Sequence, residues 1–228
     1  MTCLFCEIAC RGYSSGKPEE KILAVTDNFI AKPGLGPLAE GYLLIIPKEH
    51  YVSFSEIEPV VLGEASALVT AISSHLMEIY DLPITYFEHG CFLGGGTGGA
   101  CIEHAHLHLL PTSADLSAVL TEQFESRQIE GLTGLAGYCE KQKQPYIYYH
   151  GPDGKDLICR APKALPSQFM RRLLSTRLGF DNDRWDWRLF PSRDSIEAFN
   201  QKFLRESTIK TGAPVEKATR SAEDAAKV

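Results

Sequence analysis

The chain has 228 residues, 44% of them hydrophobic, which allows one large globular domain or a domain with an extension. Its formal net charge of −6 argues against a dominant electrostatic attraction to nucleic acid or acidic lipid, although a local pocket on an acidic protein can still be positive. There is no run of eighteen apolar residues, no basic-then-apolar leader at the N-terminus, and seven cysteines, an odd number with no small disulfide scaffold around them; no membrane span is expected, and a reducing, cytoplasmic setting is.

Cys3 and Cys6 form a Cys-x-x-Cys pair at the start of the chain. A redox pair, two incidental cysteines and half of a tetrahedral metal site are the competing readings. A redox pair would follow a strand, and nothing precedes Cys3 that could be one. Ile22–Val25 and Phe29–Ala31 are short strand candidates with Thr26-Asp27-Asn28 as the turn between them. Gly34 to Glu40 is a loop. Tyr42–Ile46 is apolar on both faces and is predicted to be a central, buried strand. Val60, Leu62, Ala65, Leu68, Val69, Ile72, Leu76 and Ile79 have helical spacing, which predicts one long helix over Pro59–Tyr80, with His75 on its surface or in its packing. Ile84–Glu88 is the next strand.

Phe92 to Cys101 holds five glycines in six positions, a loop whose backbone N–H groups can approach phosphate oxygens closely. It lacks the Lys-Ser/Thr ending of a P-loop. Directly after it, Ile102 to Pro111 reads I-E-H-A-H-L-H-L-L-P. The period of two predicts a strand with His104, His106 and His108 on one face and Ala105, Leu107 and Leu109 on the other, against a core. Three readings compete for the imidazoles. They could be a solvated strand face, or a metal site of their own, although three on one straight strand converge poorly. Or one is a nucleophile or base that its neighbours position.

Beyond Ser113 the character changes. Asp115–Phe124 is a helix candidate capped by Ser113 or Asp115, and Gly131 to Gly137 is a glycine-spaced loop. Tyr146–Tyr149, the turn Gly151-Pro-Asp-Gly154 and Leu157–Cys159 form a hairpin. Ser167–Leu178 is a basic amphipathic helix. Its Arg171 and Arg172 are phosphate partners if the extension reaches the site, and a solvated basic face otherwise. Trp185 to Arg188 is an aromatic knot expected to pack the extension onto the domain. Ser192–Leu204 is a last helix. The whole is an α+β pattern, a mostly antiparallel sheet with one long helix packed on a face, followed by a C-terminal α/β extension. The expected division is a domain over 1–112, an extension over 113–209 and a disordered tail over 210–228.

Three stretches together resemble the histidine triad (HIT) superfamily of nucleotide hydrolases and transferases. H-A-H-L-H-L-L is similar to its His-φ-His-φ-His-φ-φ signature. Gly41 to His50 is similar to its strand ending in Pro-Lys-x-His, and Cys3-Leu-Phe-Cys6 to the start of its zinc-containing members. The resemblance implies a structural, closed zinc on Cys3, Cys6, His50 and His104. It implies that His106 becomes covalently attached to a nucleoside monophosphate and that His108 contacts the phosphate. Gly98, Gly99, Cys101, Glu88 and Phe29 are the expected nucleotide- and phosphate-binding positions, and a homodimer with two sheets side by side is the expected assembly. The chain departs from the family pattern at Ala100, Cys101, Glu88 and Lys32, the last standing where an acid grips ribose hydroxyls.

The chemistry needs no catalytic metal. A neutral imidazole held in one tautomer is nucleophilic without losing a proton, and it is a good leaving group from phosphorus. The expected function is a nucleotidyl hydrolase or nucleotidyltransferase that forms a covalent nucleotidyl-His106. The alternatives are a phosphorolytic dinucleoside polyphosphate phosphorylase, a nucleotide-binding sensor or scaffold, and a module that stacks RNA ends on Tyr146, Tyr148 and Tyr149. The acidic net charge argues against the last.

Overall fold

In a computed structural model of the chain, residues 3–11, 16–92, 102–180 and 182–206 are described. The expected disordered tail and the glycine-rich loop lie outside them. The strands are β1 (Ala24–Val25), β2 (Phe29–Pro33), β3 (Leu43–Pro47), β4 (Ile84–Gly90), β5 (Leu107–Pro111), β6 (Ser126–Ile129), β7 (Tyr146–His150) and β8 (Asp156–Arg160). They form one eight-stranded sheet in the order β1-β2-β3-β5-β4-β7-β8-β6. Every pairing is antiparallel. The helices are α1 (Leu4–Arg11), α2 (Pro59–Tyr80), α3 (Ser117–Gln123), α4 (Tyr138–Gln142), α5 (Phe169–Arg177) and α6 (Arg193–Glu206).

Both faces of the sheet are covered, so β2 and β3 are buried along their whole length. On one face α2 lays down Leu62, Ala65, Leu68, Val69, Ile72 and Leu76 against Leu43, Ile45, Leu107 and Leu109. On the other, Phe5 and Ile8 of α1, Leu120 of α3, and Met170 and Leu174 of α5 pack with Leu44, Ile46, Phe87 and Leu110. The spacing-based range for α2 matches its ends. Pro59 takes the first helical position, where its missing N–H costs nothing, and Asp81 ends the helix in the left-handed region at φ 50°. By length and composition α2 could cross a membrane. Here its buried stripe lies on the sheet, and His75 donates from Nε2 to the Phe203 carbonyl at 3.2 Å.

The C-terminal hairpin extends the same sheet. β7 pairs with β4 from Tyr86↔His150 to Gly90↔Tyr146, so β4 has a partner on each side. The Trp185–Pro191 segment lies on the loop after β2, where Gly36 has φ +61° and a Cβ would come within 2.6 Å of the Trp187 Cα. Helices α1 and α4 and strand β6 have no counterpart in the sequence reading.

The triad strand starts later than its periodicity predicts. The ladder begins at Leu107; His106 lies just before it, and His104 at a bend. β3 ends at Pro47, which has no N–H to offer, and the Ala105 N–H is taken by the Tyr51 carbonyl at 2.7 Å. The alternation of faces survives. Ala105, Leu107 and Leu109 join the α2-side core.

A buried carboxyl ties the two halves of the sheet together. Glu88 of β4, 1% exposed, accepts from the Phe54 N–H at 2.8 Å and from the Tyr146 hydroxyl at 2.5 Å. Desolvation pushes its pKa up to about 8, against the pull of those two donors. The folded state therefore keeps a proton that the unfolded chain has lost, and the stability this gives is complete below about pH 4.5 and disappears as pH rises to about 8. Glu88→Gln cannot ionise. The stability of wild type relative to this variant is expected to fall by on the order of 3 kcal/mol between pH 5 and pH 8. Urea unfolding at a series of pH values checks this, and parallel profiles for the two proteins would contradict it.

Candidate functional site

The imidazoles are fixed by partners that leave little choice of tautomer. A carbonyl oxygen only accepts, so the nitrogen facing it carries the proton. His104 donates from Nε2 to the Pro47 carbonyl at 2.9 Å. His106 donates from Nδ1 to the His104 carbonyl at 2.8 Å, which leaves its Nε2 lone pair free. His108 Nδ1 lies 2.7 Å from the Tyr42 hydroxyl, and Arg171 Nη1 donates to that hydroxyl at 3.0 Å. Arginine cannot accept, and His108 Nδ1 is the acceptor beside the buried Tyr42 hydroxyl, so we assign the Tyr42 proton to that bond and the His108 proton to Nε2. A fourth histidine, His89 of β4, accepts the Met170 N–H of α5 at Nε2, 3.2 Å away.

Burial keeps these rings neutral. Desolvation lowers the pKa of His106 to about 4 against the help of the His104 carbonyl, and the neighbouring His104 and Lys32 push the same way. His108 is held well below its usual range by desolvation, with His106, His89 and Arg171 adding to it. Desolvation takes His89 to about 3. The rings are closely packed. His106 and His108 meet edge-on at 4.8 Å, Phe87 stacks on His108 at 4.6 Å, and Phe5 meets His106 edge-on at 5.4 Å.

Cys3, Cys6, His50 and His104 converge, their candidate ligand atoms lying within 4.8 Å of one another. Cys3 Sγ is 3.3 Å and Cys6 Sγ 3.5 Å from His104 Nδ1, and Cys6 Sγ is 3.3 Å from His50 Nδ1. Ligands on a tetrahedral ion with bonds of 2.0–2.3 Å are separated by about 3.4–3.8 Å, so this set could hold a metal ion. The Pro47 carbonyl fixes the His104 tautomer with Nδ1 facing the thiols, as a metal-bound histidine requires. Cys3 and Cys6 belong to the N-terminal segment and α1, so this cluster anchors α1 over the triad.

Beside the triad is a cavity of about 280 Å³. The sheet supplies Lys32, His89 and His108, the residues just before β3 and β5 supply Tyr42 and His106, α1 supplies Leu4, Phe5 and Ile8, and the extension supplies Gln168, Arg171 and Trp187. Gln168, which precedes α5, has φ 61° and accepts from Arg171 Nε at 3.2 Å. Arg171 is 3% exposed and also donates to the carbonyls of Trp185 at 2.9 Å and Gly36 at 2.7 Å. Of the two sequence readings for the basic helix, a solvated face does not describe Arg171, which is buried on the cavity; Arg172 stacks over Trp185 at 3.4 Å.

The structure brings His106 and His108 together on the cavity and His104 with the thiols. It does not bring Glu88 or Phe29 there. Glu88 points through the opposite face of the sheet, and Phe29 lies in the α2-side core, stacked on Phe54 at 6.0 Å. Odd and even positions of a strand face opposite ways, so it is Ile30 and Lys32 of β2, and His89 of β4, that face the triad side. Gly98, Gly99 and Cys101 are outside the described residues. Tyr42, His89, Gln168 and Trp187 line the cavity without having been candidates in the sequence, whereas Arg171 is there as the conditional phosphate partner from the extension.

A family model for the HIT domain matches residues 16–115. An uncharacterised HIT-like protein of Mycoplasma genitalium is 31% identical over 113 residues, which is 48% of this chain and 72% of that protein. The chain belongs to the HIT family. An adenylylsulfatase of Arabidopsis thaliana is 28% identical over 48% of this chain and 51% of its own length. Among solved structures, a HIT-family protein from Bacillus subtilis is 20% identical with a TM-score of 0.41, covering 49% of this chain and 73% of the other. The HIT domain is thus the N-terminal half, and the cavity wall carrying Gln168, Arg171 and Trp187 comes from beyond it.

The four-residue cluster gives a direct expectation. Protein purified without chelator should carry close to one metal ion per chain by native mass spectrometry, and Cys3→Ser or His50→Ala should remove it and lower the melting temperature. Metal content unchanged by both substitutions would refute the assignment of these ligands.

Proposed function

We propose that this HIT protein is a nucleotidyl hydrolase or transferase that cleaves a nucleoside monophosphate from a phosphoanhydride, phosphoester or phosphoramidate through a covalent nucleotidyl-histidine on His106. The observation that carries this reading is the pair of hydrogen bonds, His106 Nδ1 to the His104 carbonyl and His108 Nδ1 to the Tyr42 hydroxyl, from which opposed tautomers two residues apart are assigned. His106 presents a lone pair at Nε2, and His108 presents a proton at Nε2.

In the first step the His106 Nε2 lone pair attacks the α-phosphorus. The P–N bond forms as the bond to the leaving group breaks, and the leaving group departs with the bonding pair. His108 Nε2–H donates to a non-bridging phosphoryl oxygen, where charge gathers. The His104 carbonyl, already bonded to Nδ1–H, stabilises the imidazolium character that the ring gains. Water or another acceptor then attacks phosphorus and loses its proton to solvent, and the P–N bonding pair returns to Nε2. Phe5, Phe87 and the α5 wall keep bulk water away from the rings.

Two thiolates and two imidazoles suit zinc, and four protein ligands leave no open position, so its part is structural. It would hold α1 in place as a cavity wall. Candidate substrates are dinucleoside polyphosphates, adenylylated metabolites and nucleotide sugars, and the adenylylsulfatase among the relatives is a reason to test adenylyl sulfate with them. A reducing, cytoplasmic setting is part of the same reading, from seven cysteines, an odd number, in a chain of this length. A homodimer belongs to the same reading, and a sheet-to-sheet association would run through the end strands β1 and β6.

Intact-protein mass spectrometry after brief incubation with such substrates tests the reading. Wild type should gain the mass of one nucleoside monophosphate and His106→Asn should not; an adduct on the variant, or none on wild type while substrate is turned over, would overturn it. Tyr42→Phe removes the donor that sets the His108 tautomer and should lower kcat by about 10- to 100-fold, with the adduct still forming slowly. An unchanged kcat would show that His108 needs no such partner.

A further inference from the structure

Lys32 is a buried cation that no ion pair accounts for. It sits on β2, 4% exposed; among the described residues its Nζ donates to the Pro33 carbonyl at 2.9 Å and lies over the Phe5 ring, 5.9 Å from its centroid, a weaker partner than a counter-ion. Among the described residues no carboxylate lies within ion-pair distance of it. The two acids on the same cavity, Glu19 and Glu20, are engaged elsewhere. Glu19 holds Arg193 in a fork, with contacts of 3.0 and 2.8 Å, and Glu20 faces Lys17 at 3.6 Å. An ammonium taken out of water without a counter-ion is costly, and a cavity that keeps one is suited to an anion from outside the chain. Desolvation brings its pKa down to about 8, with Glu19 and Glu20 opposing the fall, so it is still cationic at neutral pH.

The strand register places this cation relative to the triad. Lys32 pairs with Leu44 across β2 and β3, and Leu44 pairs with His108 across β3 and β5. Lys32, Leu44 and His108 therefore form one row on the cavity face, and two strand spacings separate the outer backbones by about 10 Å. A ligand with phosphorus at His106 reaches Lys32 by crossing Leu44, a span that a ribose or a phosphate link can bridge. In dinucleotide-binding folds an acid at the ribose selects free hydroxyls and a cation selects a ribose phosphate, and the same electrostatics apply here.

Resting on the nucleotide reading above, we propose that Lys32 is a second phosphate subsite, and that the ligand of this cavity is a nucleotide carrying a phosphate beyond the one held at His106 and His108. That phosphate is either on the ribose or next in a polyphosphate chain, and it meets the free N–H donors of Lys32 Nζ.

Calorimetric titration of the full chain distinguishes the two sources. The probes are the 5′-monophosphates of adenosine, guanosine, uridine and cytidine, their 3′,5′- and 2′,5′-bisphosphates, and their non-cleavable α,β-methylene diphosphates. At least one doubly phosphorylated probe should bind wild type about tenfold or more tightly than its monophosphate, and that ratio should collapse towards one in Lys32→Met and persist in Lys32→Arg. The probe that shows the gain names the position of the second phosphate. No gain for any probe on wild type, or a gain that survives Lys32→Met, overturns the subsite. Removing a buried charge is compatible with folding, and Lys32→Gln, with thermal melts on all variants, guards against a folding defect. If monophosphates bind and a second phosphate adds nothing, the subsite falls and the nucleotide reading stands. If no nucleotide binds the folded wild type, both fall.

Discussion

Three separate parts of the molecule meet on one residue, His104. Its Nε2–H is given to the last carbonyl of β3, its Nδ1 faces the two thiols of the N-terminal segment, and its own carbonyl takes the Nδ1 proton of His106. A single fully buried ring and its peptide thus fix the end of a central strand, the position of α1 and the tautomer of the neighbouring imidazole. The constraint is chemical before it is geometric. A carbonyl cannot donate, so His106 has nowhere else to put its proton, and its Nε2 is left with a lone pair. Metal at the cluster would act on the cavity through α1, whose Phe5 packs on both His104 and His106.

The extension contributes to the site as much as to the fold. β7 continues the sheet from β4, and the Met170 N–H at the start of α5 is satisfied by His89. Arg171 then reaches across to Tyr42, and through it to His108. A HIT domain ending near residue 112 would leave β4 with one exposed edge, and side-by-side pairing of two sheets could use that edge. In this chain β7 occupies it in cis, and the strand that covers the edge also brings along the helix that closes the cavity. Residues from two regions far apart in sequence are therefore needed to set the proton on His108.

Periodicity made much of this legible from the sequence. α2 could be read from its apolar spacing and its proline start, β3 from an apolar run, the tyrosine hairpin from its turn, and the triad from alternation alone. What could not be read depends on contacts across the chain. The ladder of β5 is shortened by Pro47 on a neighbouring strand, a matter of pairing register. Glu88 and Phe29 looked like ligand residues by position, yet strand parity turns both into the α2-side core, and parity is fixed only once the register is known. Tyr42 and Arg171 gain their roles because segments more than a hundred residues apart are packed together, Arg171 reaching both the Tyr42 hydroxyl and the Gly36 carbonyl. α1 is a short helix that needs the Cys and His cluster and the core beneath Phe5 to hold it, and little in its own sequence announces it.

The central claim is that hydrogen bonds inside the fold set opposite tautomers on His106 and His108, and that the free Nε2 of His106 follows from this. Long-range proton–nitrogen correlation spectra of protein labelled with nitrogen-15 in histidine test it at neutral pH without substrate. The account predicts that His106 carries its single proton on Nδ1 and His108 carries its single proton on Nε2. A proton on Nε2 of His106, or a doubly protonated ring there, would remove the lone pair on which the proposed chemistry rests.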